Sequence, residues 1–190
     1  MAWLAFAKGH HVHPRIKELL DYLDVRRAEL RRTVDGIPLE QQNRRPPNDG
    51  WSVANVLEHL SIVESRITGL LHKRIEEARA AGLGTETETS SILDQPGLEQ
   101  VANRARPLVA PEPVRPTSTL DAVAAWKALD AARERLRTVL LSADGLAVGQ
   151  ISHPHTFFGP LTVYQWFAFV AGHEARHTAQ IREIMRSLSA

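Results

Sequence analysis

The chain contains no cysteine in its 190 residues. This absence excludes disulfide bonds, thiolate nucleophiles and cysteine-based zinc sites, so histidine and the carboxylates are the side chains left to bind a metal. Net charge is nearly absent as well, because 23 Lys and Arg residues against 22 Asp and Glu residues give a formal charge of +1. Such a balance argues against a nucleic-acid-binding protein that neutralises phosphates.

Long hydrophobic runs are also missing. The apolar opening, residues 1–7, lacks a preceding positive region and is followed by Lys8. It is too short for a signal peptide or a membrane span, which predicts a cytoplasmic protein without membrane contact. The length of 190 residues and the hydrophobic fraction of 43% suit one buried core, so we expect a single domain over residues 1–190.

Apolar residues recur at helical spacing in four segments, which predicts an all-α protein. The four predicted helices run from about Pro14 to Val34, from Ser52 to Ala81, from Asp121 to Ser142 and from Leu161 to Leu188. Ser52 is the predicted N-cap of the second helix, and Ser118 or Thr119 is the predicted cap of the third. Thr162 with Gln165 three residues later forms a capping-box pattern at the beginning of the last.

The segment 82–119, between the second and third helices, differs from the rest in composition. Five prolines interrupt it, and residues 85–91 are a polar run. We expect a crossover connection with one short helix around Leu98 to Arg104, and a connection this long is needed if the flanking helices run parallel. The segment 151–160 is rich in Pro and Gly and is predicted to be irregular.

Two histidines four residues apart lie in the last helix, within the run His173-Glu174-Ala175-Arg176-His177. On a helix such residues are turned only about 40° from each other and lie about 6 Å apart along the axis, so both rings can reach one point. That geometry suits a divalent metal ion. His59, on the apolar face of the second helix, is a candidate third ligand because an isolated imidazole there needs a partner.

Five other histidines offer alternatives. His153 and His155, just before the last helix, are alternative ligands on composition, although a loop holds ligands less firmly than a helix does. The cluster of His10, His11 and His13 resembles a chelating site, but its place before the first helix predicts a disordered end of the chain.

The run in the last helix also matches the His-Glu-x-x-His pattern of zinc metalloproteases, in which the Glu serves as general base. No histidine follows His177, and Gln180 stands where metzincins have glycine. No predicted sheet would hold an extended peptide, so a metalloprotease is the weaker interpretation. Glu174 is expected either as a base or in a surface ion pair with Arg176 or Arg182.

Two motifs, in the order found here, resemble the DinB-like superfamily, also described as YfiT-like metal-dependent hydrolases. The first motif is Trp51-Ser52-Val53 followed by Leu57-Glu58-His59-Leu60. The second motif is His173-x-x-x-His177-x-x-Gln180-Ile181, and the segment Phe158-Gly159-Pro160-Leu161-Thr162 precedes it. The resemblance extends from about Pro14 to Leu188. The long insertion of residues 82–119 departs from the family's pattern.

The resemblance implies a four-helix bundle of up-down-down-up topology, frequent homodimerisation, and a divalent metal held by His59, His173 and His177. Zinc or nickel is the expected ion, with iron or manganese as alternatives. It further implies a metal-dependent hydrolase or a transferase that uses a low-molecular-weight thiol with a small-molecule substrate. The alternative is a non-catalytic bundle that acts through binding or dimerisation. Gln180 is expected beside the ligands or the substrate, or as a surface amide, and no catalytic proton-transfer residue is predicted.

Overall fold

The computed structural model describes residues 11–47, 50–95, 97, 99–105 and 108–189. The helices are α1 (Pro14–Asp35), α2 (Leu39–Gln42), α3 (Val53–Ala80), α4 (Glu99–Ala102), α5 (Ala122–Ser142) and α6 (Val163–Ser189). Two short strands, β1 (Ser152–His155) and β2 (Gly159–Thr162), pair antiparallel. The predicted all-α class is confirmed, and no described helix is long and apolar enough to cross a membrane.

Helices α3 and α5 run parallel, side by side. Near their beginnings, the side-chain amide of Asn55 donates to the hydroxyl of Ser118 at 3.2 Å. Near their ends, Arg79 donates to the carbonyl oxygen of Ser142. The chain must therefore return along the whole bundle between them, which is why segment 82–121 is long. This crossover contains α4 and a 3₁₀ turn at Glu112–Val114. The predicted short helix is α4, and Leu98 lies outside the described residues.

Helices α1 and α6 form the other parallel pair. The guanidinium of Arg15 lies over the ring of Tyr164, so the two helices begin at the same end of the bundle. The backbone N–H of His13 donates to Asp144 at 2.8 Å, which brings the beginning of α1 to the end of α5. The four long helices are thus arranged up-down-down-up, as predicted.

The core consists of two apolar clusters separated by a polar layer. One cluster contains residues 16–23 of α1 together with residues 163–171 of α6, and the other lies towards the opposite end of the bundle. Between them, Arg133 donates to Glu64 at 2.7 Å and to Glu174 at 3.0 Å. Arg27 of α1 bonds to the same two carboxylates.

Several helix boundaries follow the predicted capping residues. Ser52 and Asn55 form a reciprocal capping box at α3, and Thr162 and Gln165 do so at α6. The cap of α5 is instead Asp121, whose carboxylate accepts from the backbone of Ala124 at 2.8 Å. The hydroxyls predicted for this role have other partners: Ser118 accepts from Asn55 of α3, and Thr119 pairs with Thr117 within the crossover.

Two segments are more ordered than predicted. Segment 151–160 forms most of the hairpin β1–β2, which ends at Thr162 and is short enough to tolerate Pro154 and Pro160 opposite each other. His13 caps α1 by accepting from the backbone N–H of Arg15 at 3.3 Å, so it is not disordered. His10 lies outside the described residues.

Candidate metal centre

His59 lies two turns into α3, where only 3% of the residue is exposed. Its Nδ1 donates to the carbonyl oxygen of Val114 at 2.6 Å. Because a carbonyl can only accept, the proton of the neutral ring is on Nδ1 and Nε2 keeps its lone pair. Burial lowers the pKa of His59, while the bond to Val114 opposes this in part. His59 is therefore a neutral donor with a fixed tautomer.

His173 and His177 lie one turn apart on α6. The Nδ1 of His177 donates to the side-chain oxygen of Gln180 at 2.6 Å, and its Nε2 lies 3.0 Å from Nε2 of His173. Burial, together with the neighbouring charged forms of His59 and His177, holds the pKa of His173 well below its usual range. Burial and His59 do the same for His177. Gln180 is thus beside the histidine pair and orients one of its rings.

The three imidazoles converge, as the sequence predicts. The ring centre of His59 lies 5.2 Å from that of His173 and 4.8 Å from that of His177. One ligand nitrogen of each residue lies within 4.8 Å of the ligand nitrogens of the other two. Among the described residues, this is the cluster of His, Asp or Glu side chains whose geometry could hold a metal ion.

The donor set fits a divalent ion. Two nitrogens 3.0 Å apart can both lie about 2.1 Å from one ion, the usual distance for imidazole ligands of zinc. Ligating histidines characteristically donate their second ring nitrogen to a carbonyl or a carboxylate, which fixes the tautomer. Val114 and Gln180 take this role for two of the three rings.

The histidines line a cavity of about 580 Å³ between α3, α6, the crossover and the hairpin. Trp51 covers the group on one side, with its ring centre 4.9 Å from that of His59 and 6.5 Å from that of His177. Phe169 stacks on His173 at 5.4 Å. The volume is that of a pocket for a small molecule rather than for a polypeptide.

Comparison with known proteins assigns the chain to a family. A family model described as the DinB superfamily matches residues 14–181. The chain belongs to the DinB superfamily. The protein YuaE of Bacillus subtilis strain 168, described as uncharacterized, is 28% identical over 163 residues, which cover 85% of this chain and 94% of YuaE. No solved structure matches the chain significantly.

Glu58 anchors the crossover beside the histidines through hydrogen bonds. This residue is 3% exposed, and its carboxylate accepts from the backbone and the hydroxyl of Thr117 and from the backbone of Ser118. These bonds hold the chain close to Val114, whose carbonyl orients His59. Sequence reasoning missed Glu58, although a charged residue inside the otherwise apolar first turns of a helix indicates a buried partner.

Replacing Glu58 by Ala is expected to release the end of the crossover. Hydrogen bonds to a charged group contribute about 1.5–3 kcal/mol each, so the amides of Thr117 and Ser118 should exchange with deuterium at least about tenfold faster. Hydrogen exchange of these two amides measures the effect. Glu112→Ala, which removes an exposed carboxylate from the same crossover, is the control. Unchanged exchange in Glu58→Ala would contradict the fastening role.

The two alternative histidines do not join the group in this DinB protein. His155 lines the cavity against Phe158 and Phe169, and its Nδ1 accepts from the backbone N–H of Phe157 at 3.1 Å. Burial lowers the pKa of His155 to about 4. His153 instead bonds to Arg74 at 3.2 Å.

Glu174 does not face the histidines. Its carboxylate is buried in the polar layer, 2.6 Å from Nε of Arg27 and 3.0 Å from a nitrogen of Arg133, so the predicted surface pairing with Arg176 or Arg182 was wrong. Adjacent residues on a helix point about 100° apart, which turns Glu174 away from the group that contains His173. The residue that would be the general base of a metalloprotease is therefore structural here.

Proposed function

We propose that this DinB protein binds one divalent metal ion through His59, His173 and His177 and uses it to activate a small thiol for transfer. The proposal depends on the convergence of three neutral imidazoles in the wall of a small-molecule cavity. Three neutral ligands leave coordination positions open, as in catalytic rather than structural sites. Zinc or nickel suits this donor set, and iron and manganese also accept imidazole.

The chain's own groups prepare the site. Val114 and Gln180 hold two of the rings with their protons on Nδ1, so that Nε2 is available. Trp51 and Phe169 cover the histidines and restrict the access of bulk water. An ion held there supplies Lewis-acid chemistry, which lowers the pKa of a thiol or a water that reaches it.

The acidity of thiols favours a thiol over water as the nucleophile. None of the lining side chains in the described residues is a carboxylate, and His155 is an imidazole in the lining, outside the group of three, that could accept a proton. A free thiol, with a pKa of about 8.5, loses its proton far more readily than water, with a pKa of about 15.7. In the transfer, the sulfur forms a bond to an electrophilic carbon of the second substrate, the leaving group departs with the electron pair of its bond, and the thiol proton passes to solvent.

The metal site is tested by measuring metal content and affinity in the purified protein. We expect about one equivalent of metal in the wild type and a loss of affinity greater than about 100-fold in His59→Ala, His173→Ala and His177→Ala, since even changes to groups behind the ligands cost 10–100-fold. His72→Ala, which removes an exposed histidine from α3, is the matched control. Equal metal content in all five proteins would refute the site.

The reaction is tested with a panel of small electrophiles, with and without an added low-molecular-weight thiol. Thiol-dependent conjugation that disappears in His177→Ala supports transfer. Metal-dependent turnover without thiol would indicate a hydrolase instead. Stoichiometric metal with no turnover in either arm would favour the non-catalytic binding protein.

Homodimerisation, which the family resemblance implies, also stays a prediction. Sedimentation of the purified protein measures it directly, and a mass close to 21.2 kDa at all concentrations would contradict it.

A further inference from the structure

The cavity carries positive charge of its own. Arg66, Arg104 and Arg176 line it, and no lining residue that the structure describes is acidic. Arg104 is paired with Glu183 through bonds of 2.8 and 2.6 Å. Arg176 donates to the carbonyl oxygen of Asn103. Because Arg104 is neutralised by Glu183, the positive charge that the cavity can offer a ligand depends on Arg66.

Arg66 has donors available for a ligand. It lies seven residues after His59 on α3, a spacing that places both residues on the same face of the helix. Its side chain is exposed, and no hydrogen bond or ion pair to it occurs within the ranges that the structure describes. The planar guanidinium offers five N–H donors in a fork that matches a carboxylate.

The histidines do not offset this charge, because their rings are neutral. A divalent ion held by them would add two further positive charges without any anionic ligand to balance them. An unbalanced charge of one sign in a cavity wall favours a ligand of the other sign. This part of the argument rests on the proposed metal site, whereas the arginines belong to the chain itself.

The rest of the cavity is apolar. Val63 and Ile67 of α3 form one side, and Phe157 and Phe158 of the hairpin, with Phe169 of α6, form an aromatic side. Such walls stabilise a ligand by removing its apolar surface from water, and aromatic rings add favourable edge and stacking contacts. A ligand that fills the cavity therefore combines an apolar body with an anionic group.

We propose that the cavity binds a small organic carboxylate with an aromatic or branched aliphatic body. Arg66 recognises its negative charge, and the aromatic side holds its apolar body. The substrate class of the proposed transferase is accordingly an amphipathic anion rather than a neutral molecule.

Phenylacetate and its neutral analogue phenylacetamide test the charge, because the two have the same ring and nearly the same shape. Binding is followed by tryptophan fluorescence, since Trp51 and Trp166 line the cavity. Phenylacetate is expected to bind at least about tenfold more tightly than phenylacetamide, as expected for a charge-assisted hydrogen bond. Acetate, which lacks the ring, should bind more weakly than phenylacetate.

Arg66→Ala should weaken phenylacetate binding by at least about tenfold and leave phenylacetamide binding unchanged. Arg32→Ala is the matched control, because Arg32 is an exposed arginine of α1 whose bond within the described residues is to the carbonyl oxygen of Ala28. Equal binding of the two phenyl ligands, or equal effects of Arg66→Ala and Arg32→Ala, would overturn the proposal.

The titrations are made on metal-loaded and metal-free protein, with metal content measured separately. If the wild type takes up no metal, the proposed function fails, while the arginine dependence in the metal-free protein still decides the inference. If metal binds stoichiometrically and the two phenyl ligands bind equally, the inference alone fails.

Discussion

The metal-free protein is expected to become less stable as the pH falls from 6.5 to 5. Burial lowers the pKa of His59, His155, His173 and His177 in the folded state, to about 4 for His155, whereas each has a pKa near 6.5 in the unfolded chain. Below pH 6.5 the unfolded state thus binds more protons than the folded state. Stability is complete above that pH and falls as the pH decreases.

The expected loss is large because four histidines contribute. Each adds a slope of up to about 1.4 kcal/mol per pH unit, against a total stability of about 5–15 kcal/mol for a typical domain. Urea denaturation with a chelator present, repeated at pH 7.5, 6.5, 5.5 and 5.0, measures the slope. A divalent ion that binds only the folded state should raise the stability above pH 6.5.

Two variants test whether these histidines cause the loss of stability at low pH. His155→Phe removes one of the four histidines, a half-buried one, and should make the slope less steep. His72→Ala removes an exposed imidazole and should leave the slope unchanged. A free energy of unfolding that stays constant between pH 7 and pH 5 would contradict the neutral state inferred for the cluster.

Replacing Arg133 by Met is expected to lower the free energy of unfolding by about 3–5 kcal/mol. Its guanidinium is buried between Glu64 and Glu174 and also donates to the carbonyl oxygen of Leu23 at 2.9 Å. Burial alone would lower the pKa of Arg133, but the two carboxylates raise it, so the group stays charged. Without it, two buried carboxylates would share Arg27 as their remaining charged partner in the described part of the layer.

Arg135→Ala provides the comparison for this loss. Arg135 is exposed on the same helix and donates to the hydroxyl of Ser65, so its removal should cost less than about 1 kcal/mol. Denaturation midpoints of the two variants measure the difference. If Arg133→Met lowered the free energy of unfolding no more than Arg135→Ala does, the polar layer would not contribute to holding the two apolar clusters together. Metal content of the folded Arg133→Met protein should match the wild type, because the network faces away from His173.

The pattern of local residues was sufficient to predict most of the bundle. Pro14, Ser52 and the pair Thr162–Gln165 act within one helical turn, so their effect on a helix beginning can be read from neighbouring residues. The hairpin at 151–160 was missed because its prolines and glycine indicate irregular structure unless the pairing of two strands is known. The cap of α5 was misassigned because the hydroxyls of Ser118 and Thr119 are engaged by distant or crossover partners.

The sequence by itself determined the helical spacing of His173 and His177 and the family motifs, since an i,i+4 pair shares a face whatever surrounds it. Only the tertiary structure decided that His59 meets this pair while His153 does not, and that the carbonyl of Val114, 55 residues along the chain, sets the tautomer of His59. It also decided that Glu174 is a buried partner of Arg27, 147 residues away, rather than a base. Helical periodicity fixes the direction of a side chain on its own helix, whereas its partners depend on how the helices pack.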